Sequence, residues 1–184
     1  PGQHILGIGH FTPAGVEYPD ETKYNNISGG YAFGCHVAEV EVNTKTGQIK
    51  VSNIFAVHDV GQPINRLALE GQLQGGIAQG YGWALMEHLK HNEKGRVANA
   101  CFLDYQIPTA ADIPQIEVDF ADSFEWSTGF GAKSIGECAT NPTAPAILNA
   151  IYNAVGIRFK ELPITAEKML KALKEKEKAS EGRG

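Results

Sequence analysis

Between residues 31 and 57 apolar and polar positions alternate. Val37, Val40 and Val42 are interleaved with Glu39 and Glu41, and Ile49, Val51, Ile54 and Val57 follow the stretch Asn43-Thr44-Lys45-Thr46-Gly47. A period near two on either side of a short glycine-containing turn predicts two strands joined as a hairpin. From about 66 to 89 the spacing becomes helical, with Leu69, Leu73, Ile77, Ala84 and Leu85 able to join a core. Five glycines, at 71, 75, 76, 80 and 82, interrupt this segment. Each costs a helix about 1 kcal/mol relative to alanine, so some outside contact has to compensate. Another helix is predicted after residue 140. Asn141 suits an N-cap, Pro142 suits the first helical position, and Ala146, Ile147, Ala150, Ile151 and Ala154 recur until Gly156 ends the run.

Shorter signals complete the pattern. Strands are expected at 98–102 and 116–120, and a last helix from Thr165 carries Met169, Leu170 and Leu173 before running into alternating Lys and Glu. Residues 1–30, rich in Gly, Pro, Asn and Asp, predict an extended, irregular lead-in. The fold class expected is α+β, antiparallel hairpins with helices packed on them. Its parts are the lead-in (1–30), one domain (31–173) and a charged tail (174–184).

Composition narrows the function classes. Of 184 residues 42% are hydrophobic and 20% charged, enough for a real core and too apolar for wholesale disorder. No apolar run approaches the ~20 residues that span a bilayer. A net charge of −5 argues against broad binding to nucleic acid or anionic membranes. Cys35, Cys101 and Cys138 form no CxxC pair, so neither a zinc ribbon nor an iron–sulfur site is expected in this chain, and a reducing, cytoplasmic setting fits. The six histidines are scattered without an HExxH motif and read as surface or internally satisfied side chains. The start at Pro1, without Met, reads as a piece of a longer chain or a processed product.

Two stretches carry candidate chemistry. In the first, Gln72, Gly76, Gln79 and Trp83 share one helical face, with Gly75 and Gly80 beside it. Amides donate and accept together, which suits a heterocycle or phosphate ester approaching bare backbone. Close packing of another helix against small residues is the other reading, and periodicity does not separate the two. In the second, Gly131-Ala132-Lys133-Ser134-Ile135-Gly136-Glu137 sets a carboxylate on a glycine-bounded turn ahead of a helix, where the helix dipole favours the ionised form. Glu137 is thus a candidate general base, or else a residue that caps backbone N–H groups. Cys138, with no histidine near it in sequence, reads as a small buried side chain.

Taken in order, the hairpin with Tyr31-Ala32-Phe33-Gly34 and Thr46-Gly47, then Asp59-Val60-Gly61, Ile64-Asn65, the run from Gly71-Gln72 to Gln79-Gly80, and the Glu137 turn resemble the molybdenum hydroxylases, the xanthine dehydrogenase and aldehyde oxidase family. The chain looks like the C-terminal part of their molybdopterin-binding subunit. That resemblance implies the fold of the family's C-terminal molybdenum-cofactor-binding domain and hydroxylation of an N-heterocycle or aldehyde. Glu137 would take the proton from a molybdenum-bound hydroxyl and would not itself ligate metal. It further implies cofactor contacts at Gln72, Gly75, Gly76, Gln79 and Gly136, and a cofactor shared with a preceding molybdenum-binding half. Iron–sulfur and FAD modules are implied as partners, without which this chain is inactive. Where the family often continues with Pro after the Glu, this chain has Cys138-Ala139-Thr140, a departure that bears on substrate selection. A non-catalytic assembly or binding domain of the same fold is the rival reading.

Overall fold

The computed structural model describes residues 2, 4–13, 15–17, 19, 20 and 27–182. Its elements are strands β1 (Phe33–Val42) and β2 (Ile49–Asp59), helix α1 (Arg66–Leu85), strand β3 (Gln115–Phe120) and helices α2 (Thr140–Val155) and α3 (Ala166–Glu181), with a 3₁₀ turn at Gly129–Gly131 before α2. The three strands form one sheet in the order β1-β2-β3. The described part of the lead-in forms no strand or helix.

The expected hairpin is present, β1 and β2 pairing antiparallel from Phe33↔Asp59 to Val42↔Ile49. Its register slips at Glu39/Val40, where Ser52 on β2 has no partner. One extra residue changes which side chains face inward. On β2 the inward set is therefore Val51 before the bulge and Ile54, Ala56 and His58 after it, while Val57 turns out to solvent. On β1 the even positions, His36, Ala38, Val40 and Val42, face the core and Val37 faces out.

Ile147 and Ile151 of α2, Ile77, Tyr81 and Ala84 of α1, and Met169 and Leu173 of α3 close over this inner face. Both expected caps of the outer helices hold: Thr165 Oγ1 accepts from Lys168 N–H, and Gly156, in the left-handed region, ends α2. No helix among the described residues is long and apolar enough to cross a membrane.

Four local expectations need correction. The third strand does not extend an antiparallel meander. It pairs parallel to β2, from Asn53↔Gln115 to His58↔Phe120, because α1 carries the chain back to the starting end of the sheet. Helix α1 stops at Leu85 rather than 89, where the N–H groups of Met86 and Glu87 both close on the Gly82 carbonyl and Asn99 pins the departing chain through Lys90 N–H and His88 O. Residues 98–102 form no strand, since the chain turns tightly at Cys101–Tyr105; an isolated bridge at His91↔Val97 lies just before them. Lastly, α2 begins at Thr140, so Asn141 lies inside it. Ala139 is already helical, and Glu137 O accepts from both the N–H and the Oγ1 of Thr140, doing the work expected of an Asn cap.

Gly47 shows how the hairpin turn is tied to the rest. Its φ is +75°, and a Cβ there would strike the Ala166 carbonyl and, at 2.8 Å, Leu170 N. Gly47→Ala should therefore lower unfolding stability by at least about 2 kcal/mol, combining left-handed backbone strain with a steric clash. Chemical denaturation of the variant measures this loss.

Candidate functional site

The two stretches singled out in the sequence meet in space. Their junction is Gly76 on α1: a Cβ there would lie 2.7 Å from the Cβ of Ala139 and 3.5 Å from Thr140 N. One turn further on, a Cβ at Gly80 would lie 2.7 Å from the Cβ of Thr143 and 3.0 Å from Thr140 O. Two glycines are thus spent on seating the start of α2, and with it the Glu137 turn, directly on α1. At Gly76 it is a neighbouring segment, at Ala139, that comes close.

Gly75 is different. Nothing lies within 4 Å of a Cβ built on it, and the same is true of Gly71. On this open side Gln72 and Gln79 are exposed, and neither amide has a hydrogen-bond partner among the described residues. Gln72 also rims an apolar hollow of about 230 Å³ that includes Val60, Leu69, Ala132 and Lys133. Gly136 and Glu137 are likewise exposed, and the Glu137 carboxylate has no ion pair or hydrogen bond among the described residues.

Behind this face the loop is held by charge. Lys133 Nζ donates to Asp59 Oδ2 at 2.6 Å with both side chains largely buried, and lies 5.4 Å from the centre of the Phe33 ring. Burial alone would raise the Asp59 pKa, but hydrogen bonds from Lys133, Ser123 and Gly61 N–H, with the Lys133 charge, outweigh it and hold the carboxyl near about 2. Backbone bonds Gln62 N–H to Gly131 O and Lys133 N–H to Val60 O stitch the same two segments. The Asp59-Val60-Gly61 and Gly131 stretches are therefore two halves of one anchor, and Lys133 is a structural lysine.

A histidine pair was missed. His36 Nε2 and His58 Nε2 are 2.7 Å apart in the buried interior, and His58 Nδ1 lies 3.7 Å from Cys138 Sγ. Cys138 is half-buried, and a histidine 80 positions away supplies the neighbour absent from its local sequence. Strand parity was the available signal, since His36 falls in phase with Ala38, Val40 and Val42. Burial, then the neighbouring imidazole, depresses His36 to about 4, and burial lowers His58 as well. Among the described residues no group of three or more His, Cys, Asp or Glu side chains is arranged to hold a metal ion.

Residues 2–114 match the family described as the molybdopterin cofactor-binding domain. The chain belongs to that family. Among proteins similar to this molybdopterin-binding domain is the xanthine dehydrogenase molybdenum-binding subunit of Escherichia coli, 36% identical over 156 residues, which are 84% of this chain and 21% of that one. The nicotine 6-hydroxylase large subunit of Paenarthrobacter nicotinovorans is 36% identical over 147 residues, covering 78% of this chain and 18% of that one. Among solved structures, aldehyde oxidoreductase from Desulfovibrio gigas superposes with a TM-score of 0.71 at 34% identity, over 78% of this chain and 15% of that one. The chain spans about a fifth of the length of the curated relatives it matches.

The residues present fit the family's cofactor. Unpartnered amides that donate and accept suit the mixed edge of a pterin, and the uncrowded backbone beside them at Gly71 and Gly75 admits a flat ring or a phosphate. An exposed carboxylate on the adjoining turn adds a proton acceptor.

Two expected outcomes follow from this geometry. Gly75→Ala should stabilise the apo protein by about 0.8–1 kcal/mol through helix propensity yet weaken molybdopterin retention. Gly76→Ala should destabilise it by about 1–3 kcal/mol through overpacking against Ala139. Denaturation and metal content of the two variants separate these effects. For pH, the unfolded chain takes up protons at His36 and His58 that the folded chain refuses, so stability should fall as pH drops from about 6.5 toward 4, by up to about 1.4 kcal/mol per pH unit for each refused proton. A further loss follows below about 4 as the Asp59 carboxylate, ionised in the fold, is protonated. Urea unfolding across pH 3–8 reads both, and His36→Phe should flatten the upper part.

Proposed function

We propose that the open face of α1 and the Glu137 turn form one wall of a molybdopterin site in a hydroxylating oxidoreductase, with Glu137 as its general base. The observation that carries this reading is the Gly76–Ala139 contact, which sets an unpaired carboxylate beside a strip of unpaired amides. Gln72 and Gln79 bind and orient the pterin edges, and Gly75 and Gly136 leave backbone free for close approach. When bound, the cofactor supplies the oxygen-transfer and two-electron chemistry. Glu137 takes up one proton at its carboxylate as the reaction begins and returns it to solvent when the product leaves. It acts as a base and not as a metal ligand.

An electron-poor carbon is the target, in a purine- or nicotinate-like N-heterocycle or an aldehyde. Relatives named for xanthine, nicotine and aldehydes, at nearly equal identity, support this class. The working protein is a cytoplasmic assembly in which a preceding molybdenum-binding half completes the site and iron–sulfur and FAD modules remove electrons. Exposed Phe102, Leu103, Trp126 and Phe130 offer apolar surface for such docking. A non-catalytic assembly domain is the second reading, favoured by the same exposed apolar side chains, which need no cofactor to serve as a docking surface.

Glu137→Gln in the complete, cofactor-loaded protein should lower the hydroxylation rate by at least about 100-fold, with molybdenum per chain unchanged. A rate within a few-fold of wild type overturns the base. A stable complex that holds no molybdenum, in a host that loads other molybdenum hydroxylases, favours the assembly domain.

A further inference from the structure

Directly behind the Glu137 turn runs an unbroken line of polar groups with no part in the reaction described so far. Its members come from three elements: His36 on β1, His58 on β2, and Thr143 on α2, with Cys138 of the turn at its end. One hydrogen bond sets the direction of the rest. Thr143 Oγ1 donates to Ala139 O at 3.0 Å, so its oxygen is left to accept, and His36 Nδ1, 3.1 Å away, must carry the proton that it accepts. A neutral His36 protonated at Nδ1 presents a lone pair at Nε2. His58 must then donate through its own Nε2–H across the 2.7 Å separation, which leaves His58 Nδ1 as a bare acceptor. That acceptor faces Cys138 Sγ at 3.7 Å, and the single thiol proton is shared between it and Ile135 O at 3.4 Å.

The chain therefore begins at the thiol one residue after Glu137 and ends at the carbonyl two residues after it. Both neighbours of the turn are gripped, one through the sheet and one through α2.

Glycines make room for this line at three points. Gly34 lies opposite His58 in the strand register, and a Cβ there would collide with the His58 ring. Gly80 admits Thr143 and Gly76 admits Ala139, each within 2.7 Å of a would-be Cβ. Histidines in a core are costly unless their nitrogens are satisfied; three of the four here have nitrogen or oxygen partners, and the fourth, His58 Nδ1, has the shared thiol proton.

We propose that His36, His58 and Thr143 are positioning residues for the Glu137 turn, a neutral hydrogen-bonded line that fixes the direction in which the carboxylate is presented to the cofactor. This rests on the reading of Glu137 as base. The line holds only while both imidazoles are uncharged: a second proton on His36 sets two N–H groups against each other across the 2.7 Å gap, and one on His58 turns the acceptor that faces Cys138 Sγ into a donor. Among the described residues, the ionisable groups facing the pair are each other, across the two strands, and Cys138 from the turn; α2 contributes the uncharged Thr143.

The test uses the protein as it exists. Thr143→Val keeps the shape and removes the hydroxyl, and Thr143→Ser restores it. Iodoacetamide labelling of Cys138 at pH 7.5, located by mass spectrometry, should quicken about tenfold in Thr143→Val and in His36→Gln, the weight of roughly one buried hydrogen bond. In Thr143→Ser it should stay within twofold of wild type. Exposed Cys35 and Cys101 serve as controls. In the cofactor-loaded protein the Val variant should lose kcat with KM unchanged, and Ser should recover it. Labelling of Cys138 within twofold of wild type in both the Val and Gln variants overturns the proposal, as does a Ser variant as reactive as Val.

Wild-type protein gives a check that no folding defect can spoil. Nitrogen-15 spectra of histidine-labelled protein at pH 6 should show two imidazoles neutral, one protonated at Nδ1 and its neighbour at Nε2. A charged ring, or the opposite tautomers, overturns the line. Labelling and tautomers are read without turnover, so failure of Glu137 as base leaves them standing, and their failure leaves the Glu137→Gln result untouched.

Discussion

Everything at the candidate site depends on how closely α2 approaches α1. Helix axes ordinarily stand 8–10 Å apart because side chains separate them. Gly76 and Gly80 remove that spacer on one side, and Ala139 and Thr143 fill the gap from the other. Without this seat the Glu137 turn would stand clear of the amide strip. The intrinsic helix cost of those glycines is thus offset by packing, while the glycines at 71 and 75 meet no protein atom and keep their cost uncompensated within this chain.

The seat is reinforced from behind by two unlike devices. A charged one, Asp59 with Lys133, joins the end of β2 to the loop that leads into the turn. A neutral one, the imidazole pair with Thr143, joins the sheet to the start of α2. Charge tolerates the partly wet edge of the fold, whereas the drier interior favours groups that can share protons without carrying net charge. Each device sits where its solvation cost is least.

Much of this was legible in the residues. Alternation around the Asn43–Gly47 turn marked the hairpin, Thr165 and Gly156 marked helix ends, and the glycine-rich segment was marked as a helix needing outside contact. What alternation could not reveal was the bulge at Ser52, because an unpaired residue has no signature until its partner strand is known. Parallel pairing of β3 was hidden for a related reason: direction depends on the crossover and not on the six residues of the strand. At the site, Gln72, Gln79 and Glu137 stood out as candidates because helical spacing and a glycine-bounded turn are local patterns. His58 beside Cys138 was not found, since that contact crosses 80 positions, and local sequence placed no histidine near the thiol. Gly75 and Gly76 looked alike in sequence and differ only in what the rest of the chain lays against them.

The long reach of these contacts also orders events in time. The hairpin closes over a few residues, but Lys133 meets Asp59 across 74 positions and Thr143 meets His36 across 107. Pairings of that separation carry a large loop-closure cost and form late. During synthesis the sheet's first two strands can assemble long before the turn bearing Glu137 has been made. The amide strip is therefore left without its carboxylate until α2 has docked, so the candidate site is assembled only at the last stage of folding.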